Sequence, residues 1–472
     1  MHGGQATLRL SGVVMAATTS SQPTASVTRR PPRRRRNTEV VLLVFAYALS
    51  LAAYAQVELT TLDELQRSFV TFAVVLGLSL LAAHLGLRFL APYADPVILP
   101  VAALLNGLGL SMIHRLDLAE PAASREPDFV AQLGWTAIGV VLFLVVLLIV
   151  RDHRILQRYT YTAGLIGLIL LVLPLVPGLG AEINNARIWI RLPVGASSLS
   201  FQPAEMGKIA LIIFFAGYLV AKRDVLALAR SHVLGLDLPR GRDLGPILVA
   251  WAASLGVLVF ERDLGTSLLF FSVFVGLLYI ATERRSWLVI GAVLFTAGAF
   301  VAYQLFEHVQ LRTEIWLHPF ADEANTSYQI AQSLYGIATG GILGTGLGLG
   351  HPDFVPFAKT DFISAAFAEE LGLTGFMALI VLYGILVERG MRTAIAVRDA
   401  FGKLLAAGLS LAVGIQVFVV VGGVTKLIPL TGLTTPFLSY GGSSLVANWA
   451  LVALLLRISD SARRPVPTEA EQ

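Results

Sequence analysis

The stretch Leu433–Ser444, which reads LTTPFLSYGGSS, lies at the mouth of the last long apolar run of the chain. Most of the chain consists of such runs. Its 472 residues are 56% hydrophobic and only 14% charged, whereas a soluble domain carries about 25% charge. Apolar runs of about 20 residues suit the hydrocarbon core of a bilayer. The sequence therefore predicts an all-α polytopic integral membrane protein.

About twelve apolar runs (10–12) are expected to be transmembrane helices. The Glu261–Asp263 charges divide one run that is too long for a single helix. A large extracytoplasmic loop, residues 306–362, is expected before the tenth helix. The predicted spans are 39–57, 68–90, 95–113, 130–150, 159–177, 203–221, 244–260, 264–281, 286–305, 363–388, 403–425 and 437–457.

Charge placement predicts the orientation. Alternate loops are rich in arginine and lysine, and the loops between them carry mixed or acidic charge. Basic loops stay on the cytoplasmic side, so both termini are expected in the cytoplasm and the protein in the cell membrane. The expected division is a disordered basic tail (1–37), N-terminal transmembrane helices (38–177), a core (178–457) and a cytoplasmic tail (458–472). The arginines of the first tail could also bind anionic lipid or a cytoplasmic partner.

The loop before the tenth predicted helix closes on Lys359-Thr360-Asp361-Phe362. A carboxylate beside a helix start can cap the free backbone N–H groups. It can also serve as a general base at the water–lipid boundary. Both interpretations of Asp361 remain open on the residues alone.

The other long outer loop, residues 178–202, carries Arg187, Trp189 and Arg191. Arginine forms charge-assisted and often bidentate bonds with phosphate, and tryptophan offers a flat face to a sugar or lipid. The alternative is an interfacial aromatic belt with snorkelling cations.

Ionisable residues within or beside the predicted spans are further candidates. Glu205 and Lys208 are three residues apart and share a helix face, and Asp263 follows a helix end. Charged groups inside a membrane are functional hypotheses by default. A buried structural ion pair and a helix-pair turn are the respective alternatives.

Several kinds of site are not indicated. The chain has no cysteine, which excludes disulfides and thiolate ligands, and its eight histidines show no metal-ligand spacing. The glycines of residues 344–350 are followed by no Gly-Lys-Ser/Thr ending, so a flexible or re-entrant segment is expected there instead of a phosphate loop. Basic residues follow the cytoplasmic face, so nucleic acid is not expected as a partner.

The order of these motifs resembles one known family. Residues 180–457 present Asn-Asn-Ala-Arg-Ile-Trp, Gln-Pro-Ala-Glu, Asp-Leu-Gly-Thr, Thr-Asp-Phe-Ile and Pro-Phe-Leu-Ser-Tyr-Gly-Gly-Ser-Ser in turn. This series is similar to the shape, elongation, division and sporulation (SEDS) proteins, the polytopic glycosyltransferases typified by RodA and FtsW. Family members usually have ten spans. The two extra spans on the N-terminal side resemble an actinobacterial variant.

The resemblance implies a peptidoglycan glycosyltransferase that polymerises lipid II with inversion and releases undecaprenyl pyrophosphate. It places the essential aspartate at Asp361. Its arginine motif retains Arg187 but departs at Asn185 and Ile188. The candidate substrate-binding residues are Arg187, Trp189, Arg191, Glu205, Lys208, Asp263, Lys359, Ser439 and Ser443.

The resemblance also implies partners. Lipid II, membrane lipid and a class B penicillin-binding protein are expected. No metal site is assigned, and assistance by Mg²⁺ or Mn²⁺ is left open. The short C-terminal tail favours an elongation role over a division role.

Two other classes of function compete with the enzyme. A lipid II flippase needs alternating access and often has broken helices in two related halves. No internal repeat is evident, and the marked residues gather on one face, which favours an enzyme. A scaffold for a cell-wall protein is the third class, and it would tolerate substitution of Asp361.

The predicted orientation can be tested in this cysteine-free chain. Asp322→Cys is expected to react with an impermeant thiol reagent added to intact cells, and Arg230→Cys only after the membrane is opened, because basic loops stay inside. Reversed labelling would overturn the orientation.

Overall fold

The computed structural model describes residues 36–120, 127–183, 186–194, 197–226, 229–233, 236–239, 245–261 and 263–465. The predicted tail therefore lies outside the described residues, except for Arg36 and Asn37, which begin the first helix. Asn184, Asn185 and Arg262 also lie outside them.

Fifteen α-helices make up most of the described chain, and each predicted span corresponds to one of them. They are α1 (Arg36–Leu62), α2 (Arg67–Leu90), α3 (Ile98–Ala119), α4 (Asp128–Ile149), α5 (Ile155–Arg158), α6 (Thr160–Val172), α7 (Pro203–Leu226), α8 (Gly245–Glu261), α9 (Leu264–Thr282), α10 (Ser286–Leu305), α11 (Glu307–Leu317), α12 (Tyr328–Gly340), α13 (Ile363–Ala396), α14 (Ala400–Val424) and α15 (Gly442–Arg463).

Within the described ranges, ten helices are long and apolar enough to cross a membrane. The predicted fifth and seventh spans form the shorter helices α6 and α8. The prediction of an all-α polytopic membrane protein is confirmed. The predicted last span begins five residues too early, because residues 437–441 form a turn before α15.

Short strands interrupt the helices in two loops. Strands β1 (Gly180–Ile183), β2 (Ala186–Val194) and β3 (Ser197–Phe201) form an antiparallel sheet in the order β1-β2-β3. Strands β4 (Ala229–Val233) and β5 (Leu236–Pro239) form a hairpin. Both regions are loops between the predicted spans, and strands this short show too little hydrophobic alternation to be predicted from sequence.

Helices α3 and α15 lie at the centre of the bundle and are buried almost throughout. α3 packs on α1 and α13, and α15 packs on α4, α7 and α13. By contrast, most of α10 faces outward with apolar side chains. An outward apolar surface suits lipid contact, since lipid tails are as apolar as leucine.

Helix α13 is broken at Gly372, whose φ is +66° and ψ −173°. Residues 341–350, here called the glycine loop, lie along this break. Leu373 N donates to Gly341 O at 2.9 Å, and Gly346 N donates to Glu370 O at 2.9 Å. These bonds satisfy backbone groups that the break leaves free, as a membrane interior requires. The glycines for which a flexible or re-entrant segment was predicted, residues 344–350, lie in this loop.

Close packing of α3 on residues 433–444, the serine–glycine motif, generates a prediction. A Cβ at Gly109 would lie 2.6 Å from Leu438 O and 2.7 Å from Phe437 O, whereas one at Gly134 on α4 would meet nothing within 4 Å. Gly109→Ala should lower the stability of the detergent-solubilised protein by about 1–3 kcal/mol through overpacking. Gly134→Ala is the matched control for thermal unfolding. Equal melting temperatures for the two variants would contradict the packing described.

Candidate functional site

The serine–glycine motif holds the segment that carries Asp361, residues 351–362, here called the Asp361 segment. Ser439 Oγ donates to Thr360 O at 2.6 Å, and Tyr440 N donates to Lys359 O at 2.7 Å. Ser439 Oγ also accepts from Thr435 N at 2.8 Å. The motif therefore fixes the backbone on the N-terminal side of Asp361. Direct contact of Ser439 with a substrate stays a prediction, since this side chain is buried.

Ser443 has a similar internal role. Its hydroxyl oxygen accepts from Gln202 N at 2.9 Å and so joins α15 to the start of α7. Gln132 on α4 bonds the motif from the other side: its Nε2 donates to Ser439 O at 3.1 Å and its Oε1 accepts from Gly441 N at 3.1 Å. Sequence reasoning missed Gln132, because a lone glutamine in an apolar helix carries no motif.

Asp361 lies partly exposed just before α13. The cap interpretation was wrong, because Phe362 is the N-cap residue and it has no side-chain bond. Burial raises the pKa of Asp361 to about 6, although the Arg312 guanidinium and a hydrogen bond with Thr360 act to lower it; the Asp263 carboxylate adds a smaller upward effect. A carboxyl with a pKa near neutrality suits proton transfer.

Arg312 on α11 is the cation that faces Asp361. Its Nη1 donates to Leu430 O at 2.8 Å. A Cβ built at Gly432 would lie 3.8 Å from both Arg312 Nη2 and Asp361 Oδ2, so the two charged groups share the space beside this glycine. No motif or spacing distinguishes Arg312 within its polar loop, and only its tertiary position identifies it.

Arg312 lines an apolar cavity of about 280 Å³. The wall also includes Trp251 of α8, Phe271 of α9, Phe295 of α10 and Ile428. A charged group in the wall of an apolar cavity can bind a ligand with a polar head and a hydrocarbon tail.

Asp263 lies in the turn between α8 and α9, which was the alternative interpretation, and its side chain caps α9. It accepts from Thr266 N at 2.8 Å and from Thr266 Oγ1 at 2.6 Å. Burial raises the pKa of Asp263, and the bonds from Thr266 and the charge of Arg312 oppose that shift. Asp263 is thus a structural cap that also interacts electrostatically with Arg312.

Glu205 and Lys208 form the predicted pair at the start of α7. Lys208 Nζ bonds Glu205 Oε2 at 2.9 Å and Gln416 Oε1 at 2.9 Å. Gln416 Nε2 donates in turn to Thr434 O at 2.8 Å. All three side chains are buried or nearly so, so this network connects α7 and α14 to the serine–glycine motif.

Lys359 is bound by carboxylates on α3 and α4 and in the connection between them. Its Nζ lies 2.6 Å from Asp117, 2.9 Å from Glu120 and 3.0 Å from Asp128. Burial alone lowers the pKa of Lys359, but hydrogen bonds to these carboxylates outweigh it and raise the pKa overall. Three anions already neutralise this lysine, so it offers little positive charge to a phosphate.

Arg187, Trp189 and Arg191 lie together on β2. Arg187 Nε bonds Glu182 Oε2 at 3.1 Å with both side chains exposed, and Arg191 is also exposed. The sheet packs on α7 and α8. Because Arg187 and Arg191 are exposed, both arginines stay available to a ligand.

The described residues contain no group of three or more histidine, aspartate or glutamate side chains arranged to hold a metal ion. The described residues do bring one partly exposed carboxylate, Asp361, close to one arginine that lines an apolar cavity. Such an arrangement can bind an amphiphilic anion and accept a proton beside it.

Comparison with known proteins identifies the family. Residues 96–464 match the cell cycle protein family of FtsW, RodA and SpoVE, and the chain belongs to this family. The prediction of the family is therefore confirmed. The matched segment begins after α2 and ends within the last residues that the structure describes.

Individual relatives and solved structures point to the same family. The chain is 55% identical over 433 residues to "Peptidoglycan glycosyltransferase RodA" of Mycobacterium tuberculosis (strain ATCC 25618 / H37Rv), covering 91% of this chain and 92% of that protein. FtsW of Trichlorobacter lovleyi is 34% identical, covering 78% and 94%. A solved structure described as "Structural coordination of polymerization and crosslinking by a peptidoglycan synthase complex" matches with a TM-score of 0.62 at 26% identity, covering 78% and 98%. Thermus thermophilus RodA matches in fold, with a TM-score of 0.53 at 24% identity, covering 78% and 96%.

The pairing of Arg312 with Asp361 generates a prediction that needs no activity assay. Arg312→Gln should raise the pKa of Asp361 above about 6, because a nearby positive charge favours the carboxylate. Infrared difference spectra recorded against pH would show this shift, with Asp361→Asn identifying the carboxyl band. Arg187→Gln, which removes a remote exposed arginine, should leave the band unchanged. An unshifted band in Arg312→Gln would show that the two groups do not interact.

Proposed function

We propose that this chain is a peptidoglycan glycosyltransferase of the RodA type, which polymerises lipid II into glycan strands for cell-wall elongation. The observation that carries the proposal is Asp361, a carboxyl with a pKa of about 6 that lies close to Arg312, which lines an apolar cavity. The higher identity to mycobacterial RodA than to FtsW supports elongation over division.

The reaction joins two lipid-linked sugars. Asp361 accepts the proton of the acceptor's 4-hydroxyl as that oxygen attacks the anomeric carbon of the donor. The new glycosidic C–O bond forms while the bond to the lipid pyrophosphate breaks, and the anomeric configuration inverts. One base is enough for such an inverting transfer. The leaving pyrophosphate needs positive charge more than it needs a proton.

Arg312 is the residue we assign to that charge. Lys359, another candidate substrate-binding residue, suits this role less well, since three carboxylates already bind it. In the free protein Arg312 offsets the charge of Asp361, and it can turn to the pyrophosphate when substrate binds. The apolar cavity beside it would receive the first isoprene units, with the remaining chain in the bilayer.

The remaining candidates support the site from further away. Arg187, Trp189 and Arg191 would contact the sugar, peptide or phosphate of a substrate that extends over the sheet. Glu205, Lys208, Asp263, Ser439 and Ser443 hold the backbone and charges around Asp361. The Asp361 end of the bundle would face outward and both termini would be cytoplasmic. Residues 38–177 would form the N-terminal transmembrane helices and residues 178–457 the glycosyltransferase core.

A class B penicillin-binding protein is the proposed partner. The solved structure described as a peptidoglycan synthase complex for polymerisation and crosslinking supports this pairing. A transpeptidase beside the site would receive the strand as it forms. A lipid II flippase is less well supported, because the named relatives are glycosyltransferases.

Asp361→Asn tests the proposal. The amide keeps the size of the side chain but cannot accept the proton of the attacking hydroxyl, so polymerisation of labelled lipid II by the purified protein with its transpeptidase should fall about 100- to 10,000-fold. Asp353→Asn, at an exposed position of the same segment, is the matched control and should retain activity.

Two outcomes would overturn the proposal. Strand synthesis by Asp361→Asn at the wild-type rate would remove this residue as the base. A wild-type protein that moves lipid II across vesicle membranes but never polymerises it would be a transporter.

A further inference from the structure

Helices α1 and α2 precede the segment that matches the family and cover one side of α3 and α4. Their contacts with this core include buried polar groups. Glu58, which is 0% exposed, accepts from Gln66 N at 2.9 Å and from Ser68 Oγ at 2.5 Å. Its carboxylate also lies 3.3 Å from His114 Nε2 on α3. Buried charged groups tolerate few arrangements, so this carboxylate fixes the end of α1 relative to α2 and α3.

The last turn of α1 lies against the glycine loop. Thr60 Oγ1 is 3.0 Å from Leu347 O, and it also approaches two carbonyl oxygens of its own helix, Gln56 O at 2.8 Å and Val57 O at 3.1 Å. The hydroxyl has a single proton, so its hydrogen bond to the loop competes with the two bonds to its own helix. Steric contact with the loop is tighter: a Cβ at Gly348 would lie 1.9 Å from Thr60 Oγ1.

Glycine at position 348 therefore meets two demands. Its φ of +84° is one that side chains rarely adopt, and its Cα faces Thr60 with no room for a methyl group. The side chain of Thr60 therefore limits sterically how closely this part of the loop can approach α1.

The other side of the glycine loop is held by charged residues of the core. Gly348 N donates to Glu370 Oε2 at 3.0 Å, and Arg115 Nη2 donates to Gly350 O at 2.7 Å. Arg115 Nε also bonds Glu370 at 3.0 Å. The loop is therefore held between α1 on one side and α3 and α13 on the other.

The same stretch of chain continues to the site. Gly350 leads into the Asp361 segment, whose first residue donates its backbone N–H to Glu369 Oε1 on α13 at 2.7 Å. The segment ends at Phe362, where α13 begins. A displacement of Gly348 would thus be transmitted to Asp361 through a short connection and through the first turns of α13.

We propose that the α1–α2 hairpin positions the catalytic carboxylate, with Thr60 and Gly348 as positioning residues that act through the glycine loop. This inference rests on the proposed function, because the loop matters to catalysis only if Asp361 is the base. The hairpin would set the distance between Asp361 and the attacking hydroxyl without contacting either substrate. Errors of about 1 Å in such a distance can reduce rates by about 100-fold.

The test compares two neighbouring substitutions on α1 in the full chain with its transpeptidase. Thr60→Phe places a ring against Gly348, whereas Leu59→Phe places the same ring at a position that is 47% exposed. Thr60→Phe should lower kcat for lipid II polymerisation about 10- to 100-fold and change KM little, because the substrate contacts remain. Leu59→Phe should match the wild type in both constants.

A second pair of variants distinguishes loss of positioning from simple misfolding. Gly348→Ala should lower kcat, and adding Thr60→Ala should restore part of it, because the second change removes the hydroxyl that meets the new methyl group. The strained φ is common to both variants and cancels in the comparison. Recovery in the double variant supports contact between α1 and the loop.

The outcomes separate the two proposals. If the wild type polymerises lipid II and Thr60→Phe matches Leu59→Phe, the hairpin has no positioning role and only this inference fails. Loss of kcat in Gly348→Ala without any recovery in the double variant also contradicts it. If the wild type shows no polymerisation with its transpeptidase, the proposed function fails first.

Discussion

Two hydrogen bonds, from Ser439 Oγ to Thr360 O and from Tyr440 N to Lys359 O, connect the serine–glycine motif to the Asp361 segment. The site depends on them, because Asp361 lies outside any regular element and its own helix begins only after it. Backbone groups in a largely buried turn need partners, and the motif supplies them from the opposite side. Hydrogen bonds from Gln132 of α4 and Gln416 of α14 hold the motif in turn, and its own Ser443 joins α15 to the start of α7. Helices α4, α14 and α15 therefore all contribute to the placement of one carboxylate.

Most of the ionisable side chains described near the site are paired with a side chain of opposite charge. Lys208 is paired with Glu205, Arg115 with Glu370, and Lys359 with three carboxylates. Such pairs make weak contributions to stability, because desolvation offsets their attraction, but they restrict the arrangements that a buried region can adopt. Against this background, the partly exposed pair of Asp361 and Arg312 stands out as the place where charge can be used by a ligand.

The proposed chemistry follows from that contrast. Burial makes Asp361 a stronger base than an aspartate in water, and Arg312 keeps it ionised at neutral pH. A transfer with a pyrophosphate leaving group needs one base and positive charge, and this pair meets both needs with two side chains. The apolar cavity that Arg312 lines suits a substrate with a hydrocarbon tail.

The sequence by itself determined the membrane class, the positions of nearly all spans and the family, and it indicated Asp361 as the candidate base, because apolar run length and dense local motifs are properties of neighbouring residues. It also indicated the Glu205–Lys208 pair, since a spacing of three residues shares a helix face. Only the tertiary structure identified Arg312, Gln132 and Gln416, and only it showed that Lys359 is neutralised by carboxylates more than two hundred positions away in the chain. The same holds for the contact of Thr60 with the glycine loop. These roles depend on distances between residues far apart in sequence, and the packing of helices in the bundle decides those distances.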